Sequence, residues 1–171
     1  SLDGPVVISG NLAREKSGYV YKLPDSAKFN LYGINYKTDN NAENVKYMGA
    51  FDPDEVPYVM NGSFGLVWDG NDINTCSGSY GQYLKINNPH KTSLYLMSEL
   101  PVVIWDEAAL SSFIKTNKCG ITVRSLNDLG RAIASVSEAE YKESEKEMNL
   151  DYLFYNCYNL TNLDLSTFSF S

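Results

Sequence analysis

The chain has 171 residues, of which 14 are Lys or Arg and 21 are Asp or Glu, giving a net charge of −7 and a pI near 4.7. Hydrophobic residues make up 43% and the chain holds 13 tyrosines, enough apolar surface for one globular core and too much for a disordered segment. No Lys/Arg run is available to neutralise a nucleic-acid backbone, so nucleic acid is excluded as an expected partner. The longest apolar stretch, Leu100 to Trp105, is far short of the roughly 20 residues of a membrane span, and no signal segment opens the chain. The sequence reads as soluble, and its start reads as a boundary inside a longer protein.

The predicted elements alternate in type. Pro5–Gly10 is a short apolar run closed by glycine and reads as a buried strand. Leu12 to Leu23 reads as a helix or irregular turn ended by Pro24. Lys28–Gly33 and Val45–Met48 read as strands, with the polar stretch Lys37 to Asn44 as the loop between them. Asp52, Pro53 and Glu55 have the spacing of an N-cap, first helical position and capping box, so a short helix is expected there, limited by Pro57. Ser63–Trp68 is the next strand, followed by a Gly/Ser/Asn-rich loop to about Asn88. Pro89 to Met97 is expected to be helical, with Leu94, Leu96 and Met97 on its apolar side. Pro101–Trp105 reads as a strand buried on both faces, Ala108–Thr116 as a helix, Gly120–Val123 as a strand, and Ser125–Val136 as a helix capped by Ser125 or Asn127. A charged helix is expected over Glu138–Asn149. This alternation predicts an α/β fold, a Rossmann-like open parallel sheet with helices on both faces, with ligands at the carboxyl ends of the strands.

The character changes near residue 148, which divides the chain into a domain over residues 1–147 and an incomplete segment over 148–171. That segment has the spacing L-x-x-L-x-L at Leu160, Leu163 and Leu165, a leucine-rich-repeat pattern. One repeat cannot bury its own apolar face.

Chemistry-bearing residues are few. Cys76, Cys119 and Cys157 have no CxxC spacing and are odd in number, so neither a disulfide framework nor a zinc site follows. His90 is the sole histidine, which leaves little for a triad. Asp52-Pro-Asp54 fits a metal-holding DxD pattern, but its spacing fits the capping box better, and no metal is expected. Lys91, Thr92 and Ser93 lie at the start of a predicted helix, where unpaired N–H groups collect anions. With Lys85 they are candidates for a diphosphate cradle, against the plainer reading of an ordinary helix cap with solvated lysines.

Six segments together resemble a known family. They are Asn30-Leu-Tyr-Gly-Ile, Asn44-Val-Lys-Tyr-Met-Gly-Ala-Phe, Gly65-Leu-Val-Trp-Asp-Gly, Cys76-Ser-Gly-x-Tyr-Gly, Asn88-Pro-His-Lys-Thr-Ser-Leu-Tyr-Leu and Gly120-Ile-Thr-Val. In this order they are similar to the C-terminal half of the bacterial glucosyltransferase 3 and galactofuranosyltransferase family, from about Val6 to Tyr141. The resemblance implies one half of a GT-B fold that binds a UDP-sugar donor for hexose transfer to a glycan or glycoprotein, with the N-terminal acceptor domain absent from this chain. UDP-sugar is then a substrate and no separate cofactor is implied. Carried over residue by residue, Arg14 resembles a basic residue facing the diphosphate, Tyr47 an aromatic near the uracil, and Lys85, Lys91 and Thr92 phosphate and ribose contacts. Asp69 and Gly70 lie in the loop expected near the donor sugar. The sequence departs from the family at Glu99, where glycine is usual, and at Asp106, where lysine is frequent. Residues 152–168 resemble the repeats of bacterial surface proteins. The competing function is a non-catalytic protein- or glycan-recognition module. The expected location is cytoplasmic, or the cell surface if the repeat segment dominates, and a homo-oligomer is compatible with the sequence.

Overall fold

The structure is a computed structural model that describes residues 1–37 and 42–148; apart from Met148, the expected repeat-like segment lies outside the described residues. In chain order it contains β1 (Val6–Asn11), α1 (Arg14–Ser17), a 3-10 turn (Gly18–Lys22), β2 (Phe29–Ile34), β3 (Val45–Gly49), α2 (Val56–Val59) and β4 (Phe64–Val67). It continues with α3 (Gly78–Tyr83), α4 (His90–Met97), β5 (Val102–Trp105), α5 (Ser111–Thr116), β6 (Gly120–Val123), a second 3-10 turn (Leu126–Asp128), α6 (Leu129–Ala134) and α7 (Glu138–Glu147).

The six strands form one parallel sheet in the order β3-β2-β1-β4-β5-β6. Right-handed crossovers proceed from β1 in one direction and from β4 in the other, so their connections fall on opposite faces of this Rossmann-like sheet. The inner strands are buried along both faces; Val102–Trp105 has no exposed residue, as a continuous apolar run in a parallel sheet requires. Val7, Leu31, Leu66, Val103 and Ile114 are fully buried at the centre. Among the described residues, no helix is long and apolar enough to cross a membrane.

Four helical expectations need correction. The helix after β3 starts at Val56, not at Asp52, and Pro57 occupies its first turn. Proline lacks an N–H and is tolerated where that group has no helical partner, so Pro57 marks the start of α2 instead of limiting a longer helix. The stretch read as loop contains α3, because Gly81 packs so closely on Cys76 that a Cβ would come within 2.3 Å of its backbone. That contact favours glycine inside a helix despite its poor propensity. In α4 the buried face is Thr92, Tyr95 and Leu96, while Met97 is 57% exposed. The Tyr95 ring lies across the backbone of β4, where a Cβ on Gly65 would sit 2.1 Å from it. The helix is thereby turned to seat an aromatic on a glycine. Finally, Ser125 caps a 3-10 turn by accepting from Asn127 N, and the α-helix begins only at Leu129.

Candidate functional site

The strand order reverses between β1 and β4, so the loops leaving their carboxyl ends diverge and leave a crevice. A cavity of about 390 Å³ occupies that place, walled by Gly10 and Asn11 from β1, Lys16 and Ser17 from α1, Asp69 after β4, Tyr80 and Tyr83 from α3, and Pro89, His90 and Lys91 at the start of α4. Its size falls within the usual range for small-molecule sites.

Each wall has a local cause. Gly10 has φ +125°, and a Cβ there would meet nothing within 4 Å. The Asn11 side chain turns the chain into α1 by accepting from Ala13 N at 3.1 Å, and its backbone oxygen accepts from Ser17 Oγ at 2.8 Å. Across the crevice, Gly70 has φ +102°, and a Cβ would sit 2.2 Å from Ser77 O. Gly70 N donates to Lys16 O and Gly70 O accepts from Tyr19 N. The 69–70 turn is therefore clamped between α1 and the segment before α3. The start of α4 is fixed by Tyr95, whose hydroxyl accepts from the Ser9 backbone N–H at 2.8 Å and bonds Ser9 Oγ at 3.1 Å. Burial pushes the Tyr95 hydroxyl up to about 12, opposed by the bonds from Ser9. Burial likewise pushes the Cys76 thiol, beneath the same loop, up to about 12.

Of the residues singled out from the sequence, Lys91 and Asp69 come together on the cavity wall. Lys91 Nζ donates to Asp69 Oδ1 and to Trp68 O, both at 2.8 Å, and the two side chains are 17% and 11% exposed. Gly70 shapes the turn that carries Asp69. The others lie off this wall. The Arg14 guanidinium lies over the Tyr21 ring at 4.0 Å. Tyr47 donates to Gly33 O at 2.8 Å and packs on Tyr36, which stacks on Tyr21. Lys85 pairs with Glu107 at 2.8 Å, lies over the Trp105 ring, and holds the Glu107 carboxyl below its ordinary value through that bond. Thr92 is buried with its hydroxyl unpartnered, and Ser93 is exposed one residue further along α4.

Sequence reasoning missed Lys16, Tyr80 and Tyr83. Among the described residues no carboxylate pairs with Lys16; its ammonium lies 5.7 Å from the centre of the Tyr80 ring, a cation–π distance. Asp52 and Asp54 lie in an exposed turn in which Asp52 O accepts from Glu55 N and Val56 N. Among the described residues, no three His, Cys, Asp or Glu side chains gather as a metal-holding group.

Comparison with known proteins follows this geometry. Residues 6–151 match the model of the glucosyltransferase 3-like family, C-terminal domain. The chain is 45% identical over 141 residues to the β-1,6-galactofuranosyltransferase WbbI of Escherichia coli K12, covering 81% of this chain and 41% of that protein. It is 27% identical over 105 residues to glucosyltransferase 3 of Streptococcus gordonii, covering 61% and 30% respectively. The chain thus spans less than half the length of these curated relatives. A crystal structure of a mutant of S. aureus TarM in complex with fondaparinux, α-GlcNAc-glycerol and UDP shares the fold, with a TM-score of 0.53 at 16% identity over 94% of this chain and 36% of that one. The chain belongs to the glucosyltransferase 3-like family of glycosyltransferases, as its C-terminal domain.

Proposed function

We propose that this domain binds the donor, a UDP-hexose, of a glycosyltransferase that passes the hexose to a glycan or glycoprotein acceptor. The observation that carries this reading is the place of the cavity, at the reversal of strand order between β1 and β4 and beside the N-terminus of α4. Open parallel sheets bind nucleotides at such a point, because diverging loops leave a crevice and helix N-termini present unpaired N–H groups to phosphate. Lys16 supplies the full positive charge that a diphosphate needs, since no described carboxylate neutralises it. Sugar transfer loosens the bond to the departing UDP, and a cation and helix terminus aimed at the phosphate stabilise the charge that develops there. The names of the two curated relatives, both sugar transferases, support the same chemistry.

Calorimetric titration of the chain with UDP and with uridine tests the reading. UDP is expected to bind more tightly, by a margin that narrows as salt screens the diphosphate contacts. Lys16→Met is expected to weaken UDP by about tenfold or more while leaving uridine unchanged, the loss of one charge-assisted bond. Equal affinities for UDP and uridine would remove the diphosphate site. No affinity for either would favour a non-catalytic recognition module.

A further inference from the structure

The two edges of the sheet are built differently. Edge strand β3 carries the exposed residues Lys46 and Tyr47, and its register on β2 shifts between Leu31 and Tyr32, charge and irregularity of the kind that discourages a further strand. Edge strand β6 has neither: Gly120–Val123 contains no charge and no proline and stays in unbroken register with β5. Val102 N donates to Cys119 O and Asp106 N donates to Val123 O, so the odd-numbered residues turn their peptide groups to β5. By the alternation of a strand, the N–H and C=O of Gly120 and Thr122 point away from the sheet.

A cavity of about 440 Å³ lies along this edge, apart from the crevice. It is bounded by residues 120–122, by Lys115 and Lys118 around the end of α5, by Val136 after α6 and by Glu143 and Ser144 of α7. Ile121 and Val136 are only partly buried. Lys118 pairs with Glu143 at 2.9 Å, while no described carboxylate pairs with Lys115. A groove over open peptide groups is the setting in which an extended segment adds to a sheet.

The chain itself supplies such a segment. α7 passes the cavity at Ser144, and the buried Met148, whose N–H donates to Ser144 O, lies one turn further on, about 6 Å along the helix. The residues that follow hold Leu163-Asp164-Leu165, the period-two spacing of a strand, in a single repeat-like unit that cannot cover its own apolar face. The charged residues of 149–171 are Asp151 and Asp164, opposite in sign to Lys115.

We infer that residues 163–165 add to β6 as a seventh strand. The peptide groups of Gly120 and Thr122 gain partners, the two leucines cover Ile121 and Val136, and Asp164, on the opposite face, meets Lys115. The tether to α7 holds the segment at an effective concentration that a free peptide would not reach, so a few hydrogen bonds suffice. The inference is independent of nucleotide binding.

The test is NMR of the full chain, as wild type and as the double variant Leu163→Asp/Leu165→Asp, read by amide hydrogen exchange and by proton–proton contacts between strands. In wild type, residues 163–165 are expected to show cross-strand contacts to residues 120–122. The N–H groups of Gly120 and Thr122 are expected to exchange at least about tenfold more slowly in wild type than in the double variant. The wild-type contacts decide the question alone if the variant does not fold, and their absence overturns the inference. Equal exchange at the two amides in both proteins overturns it as well. Slow exchange in both that is lost on dilution would assign the edge to a second copy of the chain, and contacts from 163–165 to another part of the domain would place the segment elsewhere; either result overturns the pairing with β6.

Discussion

At the scale of single residues, Tyr95 joins fold to site: its ring fills the space left by Gly65, and its hydroxyl is the partner of the buried Ser9 N–H. Tyr95→Phe keeps the ring and removes the acceptor, leaving a backbone donor desolvated and unpaired. A loss of about 1–3 kcal/mol is expected from urea denaturation, whereas Tyr58→Phe, at a position 89% exposed, should stay within about 0.5 kcal/mol. Residue-level chemistry was only partly legible in the sequence. Lys91 follows a proline at a helix start, a signal that local spacing carries. Lys16 has no such signal, because it and Arg14 are both cations in the same four-residue helix. Only the packing of that helix against the Gly70 turn places Lys16 on the cavity wall while Arg14 lies on Tyr21.

Among the elements, α7 shows how a local motif couples to pH. Ser137 Oγ accepts from Glu140 N at 3.2 Å, and the Glu140 carboxylate accepts from Ser137 N at 2.8 Å and Oγ at 2.6 Å. The Ser137 side-chain bond, followed by its backbone bond, holds the Glu140 carboxyl below its ordinary value of 4.5. A depressed carboxyl stabilises the fold fully above its unfolded value, and that contribution is lost as pH falls through the folded value. Ser137→Ala is therefore expected to lower Tm at pH 7, by a deficit that shrinks as pH is taken below about 4; a deficit constant across a thermal-melt series would contradict this. The strands were legible because their signals are local, short apolar runs with a glycine or proline at one end or the other. The helices were less so. At α4, Tyr95 overrode the leucine pattern by docking on Gly65, and at α3 a glycine that lowers helix propensity is there for a contact with Cys76. Both are tertiary contacts, which periodicity along the chain does not encode.

For the whole molecule, the decisive fact is that the chain spans 41% of the galactofuranosyltransferase and 30% of the glucosyltransferase it resembles. Transfer needs donor and acceptor held together, and binding one of them supplies none of that proximity. A UDP-release assay on this chain, with UDP-hexose and a glycan acceptor, is expected to stay at the no-acceptor background; acceptor-dependent turnover would show that one domain suffices. The sheet order has a temporal consequence as well. Val6 pairs with Phe29 on one side and with the far more distant Phe64 on the other, so the β1–β2 contact closes a short loop and the β1–β4 contact a long one. Long closures cost more chain entropy and are slower to form. The crevice exists only after that second closure, so during synthesis or refolding the proposed UDP affinity is expected to arise no earlier than the joining of the two halves of the sheet.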